Sequence, residues 1–228
     1  VNSYSGIDNL EAVKAAHNYN RFLINQVTRA SKGAQTALDF GAGLGTFSDS
    51  LRERGIVVET VETDPTLQAR LQVNGYKVLS RLEDYADSSF NFICTLNVLE
   101  HVEDDSAVFR QFHRVLKPGG RVYIYVPAFD LLWSSMDDKV GHLRRYRKQD
   151  LADQLAQVGF TIESARYRDT VGFFATLAYQ LFGSRRGDLD SRSLSIFDRF
   201  LFPMNRILDV ICGSFLGKNV EVIACRQA

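Results

Sequence analysis

Residues 38–47 read LDFGAGLGTF, and these ten residues decide the fold. TALDF (36–40) is a short apolar strand candidate; Gly41, Gly43 and Gly45 follow it directly, before helix-like periodicity begins. Glycines there permit a tight turn and let a ligand approach the backbone, because no Cβ stands in the way. A purely structural turn is the competing explanation. A dinucleotide loop, G-x-G-x-x-G, would want a glycine at the position held by Ser48, and a phosphate loop would want Gly-Lys-Ser/Thr. The stretch suits an adenosine-containing ligand without a pyrophosphate. Glu62 adds to this, since it closes the next strand candidate, VVETVE (57–62), where a carboxylate can accept both hydroxyls of a ribose. Asp64 competes for that role, because two-residue spacing keeps both on one side of a strand. Directly before Pro65 it also suits a helix cap.

Outward from the loop the pattern alternates. Residues 11–28 have amphipathic helical spacing in Ala12, Ala16, Tyr19, Leu23 and Val27, and Pro65 opens another helix. YKVL (76–79) and FNFICTL (90–96) read as strands, the second apolar throughout as in the centre of a parallel sheet. A helix over 105–116 is stopped by KPGG, and RVYIYVP (121–127) is the next strand. Leu151, Leu155 and Val158 mark a helix ending at Gly159, before strands at 160–167 and 219–225. The alternation predicts an α/β three-layer sandwich on a mostly parallel sheet. Residues 171–217 form a helical addition before the last strand, broken at Pro203. No separating linker is evident, so a single domain over 1–228 is expected.

The 228 residues carry 27 Lys plus Arg and 27 Asp plus Glu, and this neutrality speaks against a non-specific nucleic-acid binder. Residues 1–141 hold 14 basic and 18 acidic side chains and residues 142–228 hold 13 and 9, so the C-terminal part is the more basic. Cys94, Cys212 and Cys225 lie among apolar residues and read as buried thiols rather than a zinc or disulfide set. His17, His101, His113 and His142 are far apart along the chain, so no metal site is expected. No signal-peptide pattern is seen, and the apolar run at 171–183 is too short to span a bilayer, so a cytoplasmic location is expected.

The segments ALDFGAGLGTFS (37–48), VETVETDP (58–65), FNFICTLNVLEHVEDD (90–105) and LKPGGRVYIYVPA (116–128) together resemble the class I S-adenosylmethionine-dependent methyltransferases, over roughly residues 19–167 and again at the final strand. The resemblance implies a Rossmann-like, seven-stranded sheet with the last strand antiparallel, and S-adenosylmethionine as cofactor. It implies that Gly41, Gly43 and Gly45 line the cofactor's methionine moiety, with Asp39 orienting that loop. Glu62 would hold the ribose, Thr63 would lie near the adenine, Leu82 and Glu83 would occupy the adenine edge, and Asn97 the reacting side. His101 would begin the following loop-helix, either orienting the loop with Glu100 and Asp104 or facing substrate. Tyr19, ahead of the glycine loop, would close over cofactor or acceptor, or pack its own helix on the sheet. Asp105 reads as a helix cap or first-turn acid.

The loop after the fifth strand, AFDLLWSSMDDKVGHLRRYRKQDL (128–151), lies where ligands bind open α/β sheets. Its GH-x-RRY pattern with an upstream Asp resembles a subset of the same family. Asp137, His142, Arg145 and Tyr146 are the candidate catalytic residues. His142 could serve as a general base, and Arg144 or Arg145 could pair with an anionic group of the acceptor. Alternatively, Arg145 pairs with Asp137 or Asp138 to fasten the loop, with Tyr146 packed beneath.

In 171–217, Phe173, Phe174, Leu177, Leu181 and Phe182 could line an apolar acceptor pocket, and a second stripe runs through Phe197, Phe200, Leu201, Met204, Ile207, Leu208 and Ile211. Core packing of a helical cap is the most economical explanation; an acceptor pocket, a homodimer surface and peripheral membrane contact follow. Arg185, Arg186, Arg192 and Arg199 border these runs, diluted by Asp188, Asp190 and Asp198. The expected function is methyl transfer to a small molecule by direct attack on the sulfonium methyl. A non-catalytic relative of the fold that binds or scaffolds is the alternative, ahead of an NAD-linked oxidoreductase and a nucleic-acid methyltransferase.

Overall fold

In the computed structural model, residues 16–182 and 195–227 are described. β1 (Thr36–Phe40) lies between β2 (Val57–Val61) and β4 (Phe90–Leu96) and runs parallel to both. β3 (Lys77–Leu79) extends the sheet beyond β2, and β5 (Leu116–Pro127) beyond β4. β6 (Phe160–Arg168) pairs with β7 (Asn219–Arg226), which also pairs with β5; both β7 pairings are antiparallel. The sheet therefore has seven strands in the order β3-β2-β1-β4-β5-β7-β6, with the last strand alone reversed.

Strand alternation divides the core in two. Leu38, Ile93, Val122 and Ile124 face one side, where α4 (Asp105–Val115) contributes Phe109 and Phe112 and α6 (Lys148–Val158) contributes Leu151 and Leu155. Ala37, Phe92, Cys94, Tyr123 and Tyr125 face the other, covered by Leu23 and Val27 of α1 (His17–Ala30), Leu51 of α2 (Thr46–Arg52) and Leu71 of α3 (Pro65–Val73). The result is the three-layer sandwich that the alternation implies. The other helices are α5 (Ser135–Val140), α7 (Thr170–Phe182) and α8 (Asn205–Cys212), with a π-helical turn at Phe197–Leu201.

Several expectations are corrected. β5 begins at Leu116, not 121: Phe90 pairs with Leu116 and Phe92 with Arg121, so KPGG is a bulge within the strand as well as the end of α4. Only Cys94 is buried; Cys212 and Cys225 are partly exposed. Of the two roles expected of Asp105 it takes that of the first-turn acid, buried, while Asp104 caps α4 by accepting the Ala107 amide at 2.8 Å. The stripe at 197–211 does not pack as core: Phe200, Leu201, Met204, Ile207 and Ile211 are 42–68% exposed. Phe202, outside that stripe, is the buried ring, edge-on to Tyr19 and Phe22 at 5.4 and 5.7 Å. Ala12, Arg185, Arg186, Asp188, Asp190 and Arg192 lie outside the described residues, as do the side chains of Leu181 and Phe182. Among the described residues no helix is long and apolar enough to cross a membrane.

Candidate active site

The loop after β1 is shaped by its glycines. Gly41 has φ +74°, and a Cβ there would collide with the Val98 side chain; Gly45 precedes α2 at φ +81°. The Gly41 amide donates to the Val61 carbonyl at 2.8 Å, which ties the loop to the end of β2. Just beyond β2, Glu62 accepts the Gly43 amide on one carboxylate oxygen (2.9 Å) and the Thr63 and Asp64 amides on the other (2.8 and 3.0 Å). Asp64 accepts the Thr66 and Leu67 amides and caps α3. The two acids thus divide the roles that spacing left open: Glu62 turns to the glycine loop and Asp64 to the helix. Asp39 lies beneath the loop and accepts the Ser48 hydroxyl at 2.7 Å, binding β1 to α2. Burial raises its carboxyl to about 6.

Gly41, Gly43 and Glu62 border a cavity of about 710 Å³ at the C-terminal ends of β1, β2 and β4, within the range of about 300–1,000 Å³ usual for small-molecule sites. Gly41, Gly43, Glu62, Thr63, Leu82 and Glu83 line it together with Asn97, His101 and His142, and Tyr19 of α1 completes the roof. Asp39, Gly45, Asp137, Arg145 and Tyr146 are not in its wall. Leu82 is buried within a short 3-10 turn, whereas the Glu83 side chain is half exposed beside Arg81. Asn97 adopts φ +53°, a conformation asparagine tolerates, and its amide donates to the Tyr125 carbonyl at 2.8 Å. Burial, with the nearby Asp169 carboxylate, raises the Tyr19 hydroxyl pKa.

Asp137 is the centre of the opposite loop. Arg145 grips it through two bonds of 2.9 Å, the Ser134 amide and hydroxyl donate to it at 2.8 and 3.1 Å, and His142 Nδ1 lies 2.7 Å away. Burial alone would raise the Asp137 carboxyl, but the bonds from His142 and Arg145 hold it below the usual carboxylate range. A third Arg145 contact, 3.0 Å to the Ala128 carbonyl, ties α5 to the end of β5. Tyr146 is buried, with its hydroxyl 3.0 Å from both the Leu99 carbonyl and Asp105, and Arg144 pairs with Asp105 at 3.2 Å. In this geometry Asp137, Arg145 and Tyr146 hold the loop, and His142 is the member of the motif that reaches the cavity. Asp137 holds the His142 ring through Nδ1, which leaves Nε2 as the nitrogen nearest Glu100.

The histidines that the sequence separates are brought together in the fold. The His101 and His142 rings lie 4.8 Å apart, His101 Nδ1 is 3.2 Å from the Gly141 carbonyl, and His142 Nε2 is 3.7 Å from Glu100. Burial, and then the neighbouring His142, lowers the His101 pKa. Burial pushes the Glu100 carboxyl up to about 8, against the attraction of the Arg145 charge. Glu100 entered the sequence reading only as a partner for His101; its contact with the loop forty residues on has no local signal. The same is true of Asp198, whose carboxylate accepts the Asn18 and Tyr19 amides at 2.9 and 2.8 Å and so caps the helix carrying the cavity roof.

A family profile described as a methyltransferase domain matches residues 15–165. The ubiquinone biosynthesis O-methyltransferase of Pseudomonas paraeruginosa is 30% identical over 122 residues, 49% of this chain and 53% of that protein. The chain thus spans about half the length of the curated relatives it matches. Among solved structures, a SAM-dependent methyltransferase from Archaeoglobus fulgidus aligns with a TM-score of 0.61 at 15% identity, covering 91% of this chain and 94% of that one. The phosphoethanolamine N-methyltransferase 2 of Haemonchus contortus, in complex with S-adenosyl-L-methionine, aligns with a TM-score of 0.62 at 18% identity, covering 90% and 52%. At these identities the two structures establish a shared fold.

Proposed function

The chain belongs to the methyltransferase-domain family, and from that premise we propose that it transfers the methyl group of S-adenosylmethionine to a hydroxyl of a small-molecule acceptor. The observation that carries the reading is the junction of Glu62 with the Gly43 amide at 2.9 Å, on the wall of the cavity. It sets a carboxylate for the ribose hydroxyls beside a backbone with no side chain to obstruct the methionine moiety. Leu82 supports the adenine edge, and Asp39 supports the loop from below through Ser48. Bound there, S-adenosylmethionine supplies a methyl group already activated on a sulfonium, so the chain's own task is alignment and exclusion of water.

Asn97, His101 and His142 then face the acceptor. An oxygen acceptor is supported by the name of the Pseudomonas relatives and by His142, whose Nε2 lone pair is directed by Asp137 toward the acceptor end. In the simplest case that lone pair receives the hydroxyl proton while oxygen attacks the methyl carbon and the carbon–sulfur bond breaks.

Calorimetry with S-adenosylhomocysteine tests the cofactor half. We expect saturable binding that Glu62→Ala weakens roughly tenfold to a hundredfold, the value of charge-assisted hydrogen bonds. Folded protein that binds neither S-adenosylmethionine nor S-adenosylhomocysteine would reject the reading. His142→Ala should keep cofactor affinity and lose turnover. Cofactor binding with no turnover on any hydroxylated acceptor would favour the non-catalytic alternative.

A further inference from the structure

Glu100 is fully buried, and neither of its carboxylate oxygens has a hydrogen-bond partner among the described residues. A buried carboxylate in that state is costly unless it is protonated, paired or bound to a metal. Its neighbours point to the last of these. One donor atom from each of Glu100, His101 and His142 falls within 4.8 Å of the other two. Each imidazole is also oriented from behind: His142 Nδ1 by the Asp137 carboxylate at 2.7 Å, and His101 Nδ1 by the Gly141 carbonyl at 3.2 Å. Metal-binding histidines are held in this way, with the outer nitrogen engaged and the lone pair on the inner one.

We propose that Glu100, His101 and His142 bind one divalent ion of the zinc class, with the fourth position open to the cavity. Two nitrogens and one carboxylate oxygen are the ligand set of open, catalytic-type zinc sites. Donors in a tetrahedral site with bonds of about 2.0–2.1 Å stand roughly 3.3 Å apart, so the 3.7 Å between His142 Nε2 and Glu100 needs little closure, while the set as a whole, spread over up to 4.8 Å, draws in by rotation of the side chains. The segments that carry the ligands are tied together, since the Leu143 amide donates to the Glu100 carbonyl at 2.8 Å.

The consequence for the reaction rests on the methyl-transfer reading above. An acceptor hydroxyl bound at the open position would lose its proton to solvent, because the ion stabilises the alkoxide or phenolate. That oxygen forms the new bond to the methyl carbon, and the carbon–sulfur bond breaks with its electron pair staying on sulfur. His142 would then serve as a ligand to the ion and not as the proton acceptor.

The test is metal binding, read separately from activity. Protein without an affinity tag, stripped by a chelator, is titrated with zinc chloride by calorimetry and with cobalt chloride by visible absorption. We expect about one equivalent to bind, with tetrahedral cobalt bands, and Glu100→Gln and His142→Ala each to weaken binding at least tenfold. Affinity of both variants for S-adenosylhomocysteine should stay within about twofold, which also reports that they are folded. If Glu100→Gln does not fold, His142→Ala decides. No saturable binding, or zinc affinity unchanged in a folded variant, overturns the proposal. Zinc binding without S-adenosylhomocysteine binding would uphold the metal site and reject the cofactor reading.

Discussion

The carboxylate of Asp198 accepts the backbone amide of Tyr19 at 2.8 Å across 179 positions of sequence. The second carboxylate oxygen takes the Asn18 amide at 2.9 Å, and α1 has no side-chain cap of its own. Removing a cap costs about 0.5–2 kcal/mol, and here the cap belongs to the helix that carries Tyr19 and Asn20 into the cavity roof. Asp198→Ala should lower the urea midpoint accordingly and weaken S-adenosylhomocysteine binding several-fold. Asp198→Asn, which keeps one acceptor oxygen, should fall between. Unchanged cofactor affinity in Asp198→Ala would separate α1 from the site.

Asp39 predicts a pH dependence of stability. Its folded pKa is raised from 3.8 to about 6 by burial. A raised carboxyl favours the folded state only while protonated, so the penalty is absent below about pH 4, grows through 4–6 and is complete above 6. The displacement corresponds to about 3 kcal/mol at most. The stability of Asp39→Asn relative to the parent should therefore be greatest at neutral pH and shrink as pH falls from 6 to 4, measured by urea unfolding at each pH. A difference that stays constant across that window would refute the assignment.

Arg145 and Asp137 are 5% and 1% exposed and joined by two bonds along one guanidinium edge. Removing one member of a buried pair leaves the other charge uncompensated, at about 3–5 kcal/mol. Arg145→Met should lose that much stability. The double variant Arg145→Met/Asp137→Asn should lose less than the two single changes added together. Additive losses in the cycle would mean that the pair is not coupled.

Gly41 predicts a steric rescue. Gly41→Ala combines φ +74° with a collision at Val98. The backbone part alone costs about 1–2 kcal/mol, so S-adenosylhomocysteine affinity should fall about tenfold or more. Val98→Ala in the same chain removes the collision but not the backbone strain, and should recover only part of the loss in calorimetry. Full recovery would show that strain at Gly41 is negligible.

The glycine-loop side of the cavity was legible because its parts are close in sequence. Gly41 through Glu62 spans one strand–loop–helix–strand unit, and the glycines state their backbone need openly. Ser48 in place of a third glycine also spoke against a dinucleotide loop, and the missing Gly-Lys-Ser/Thr against a phosphate loop, without any structure. The acceptor side was legible only as a set of residue types. Whether Arg145 faces a ligand or Asp137 depends on how α5 closes back on β5, and Glu100 meets His142 only because the Leu99–His101 turn and the Gly141–Leu143 loop end at the same strand tips. The apolar stripe at 197–211 misled for another reason. Helical spacing defines a face without saying which way it turns, and the inward anchors are Asp198, Phe202 and Asp209 instead.

The placement of β7 bears on how the chain can be divided. Matching to the family profile stops at residue 165, yet β6 finds its sheet partner only in Asn219–Arg226, which in turn fills the gap beside β5. A fragment trimmed to the profile would strip β6 of its hydrogen-bonded neighbour and bare the long apolar flank of β5. Such an unprotected edge invites pairing between molecules. For expression or domain shuffling, the smallest sensible unit is therefore set by the closure of the sheet, well beyond the limit of recognisable similarity.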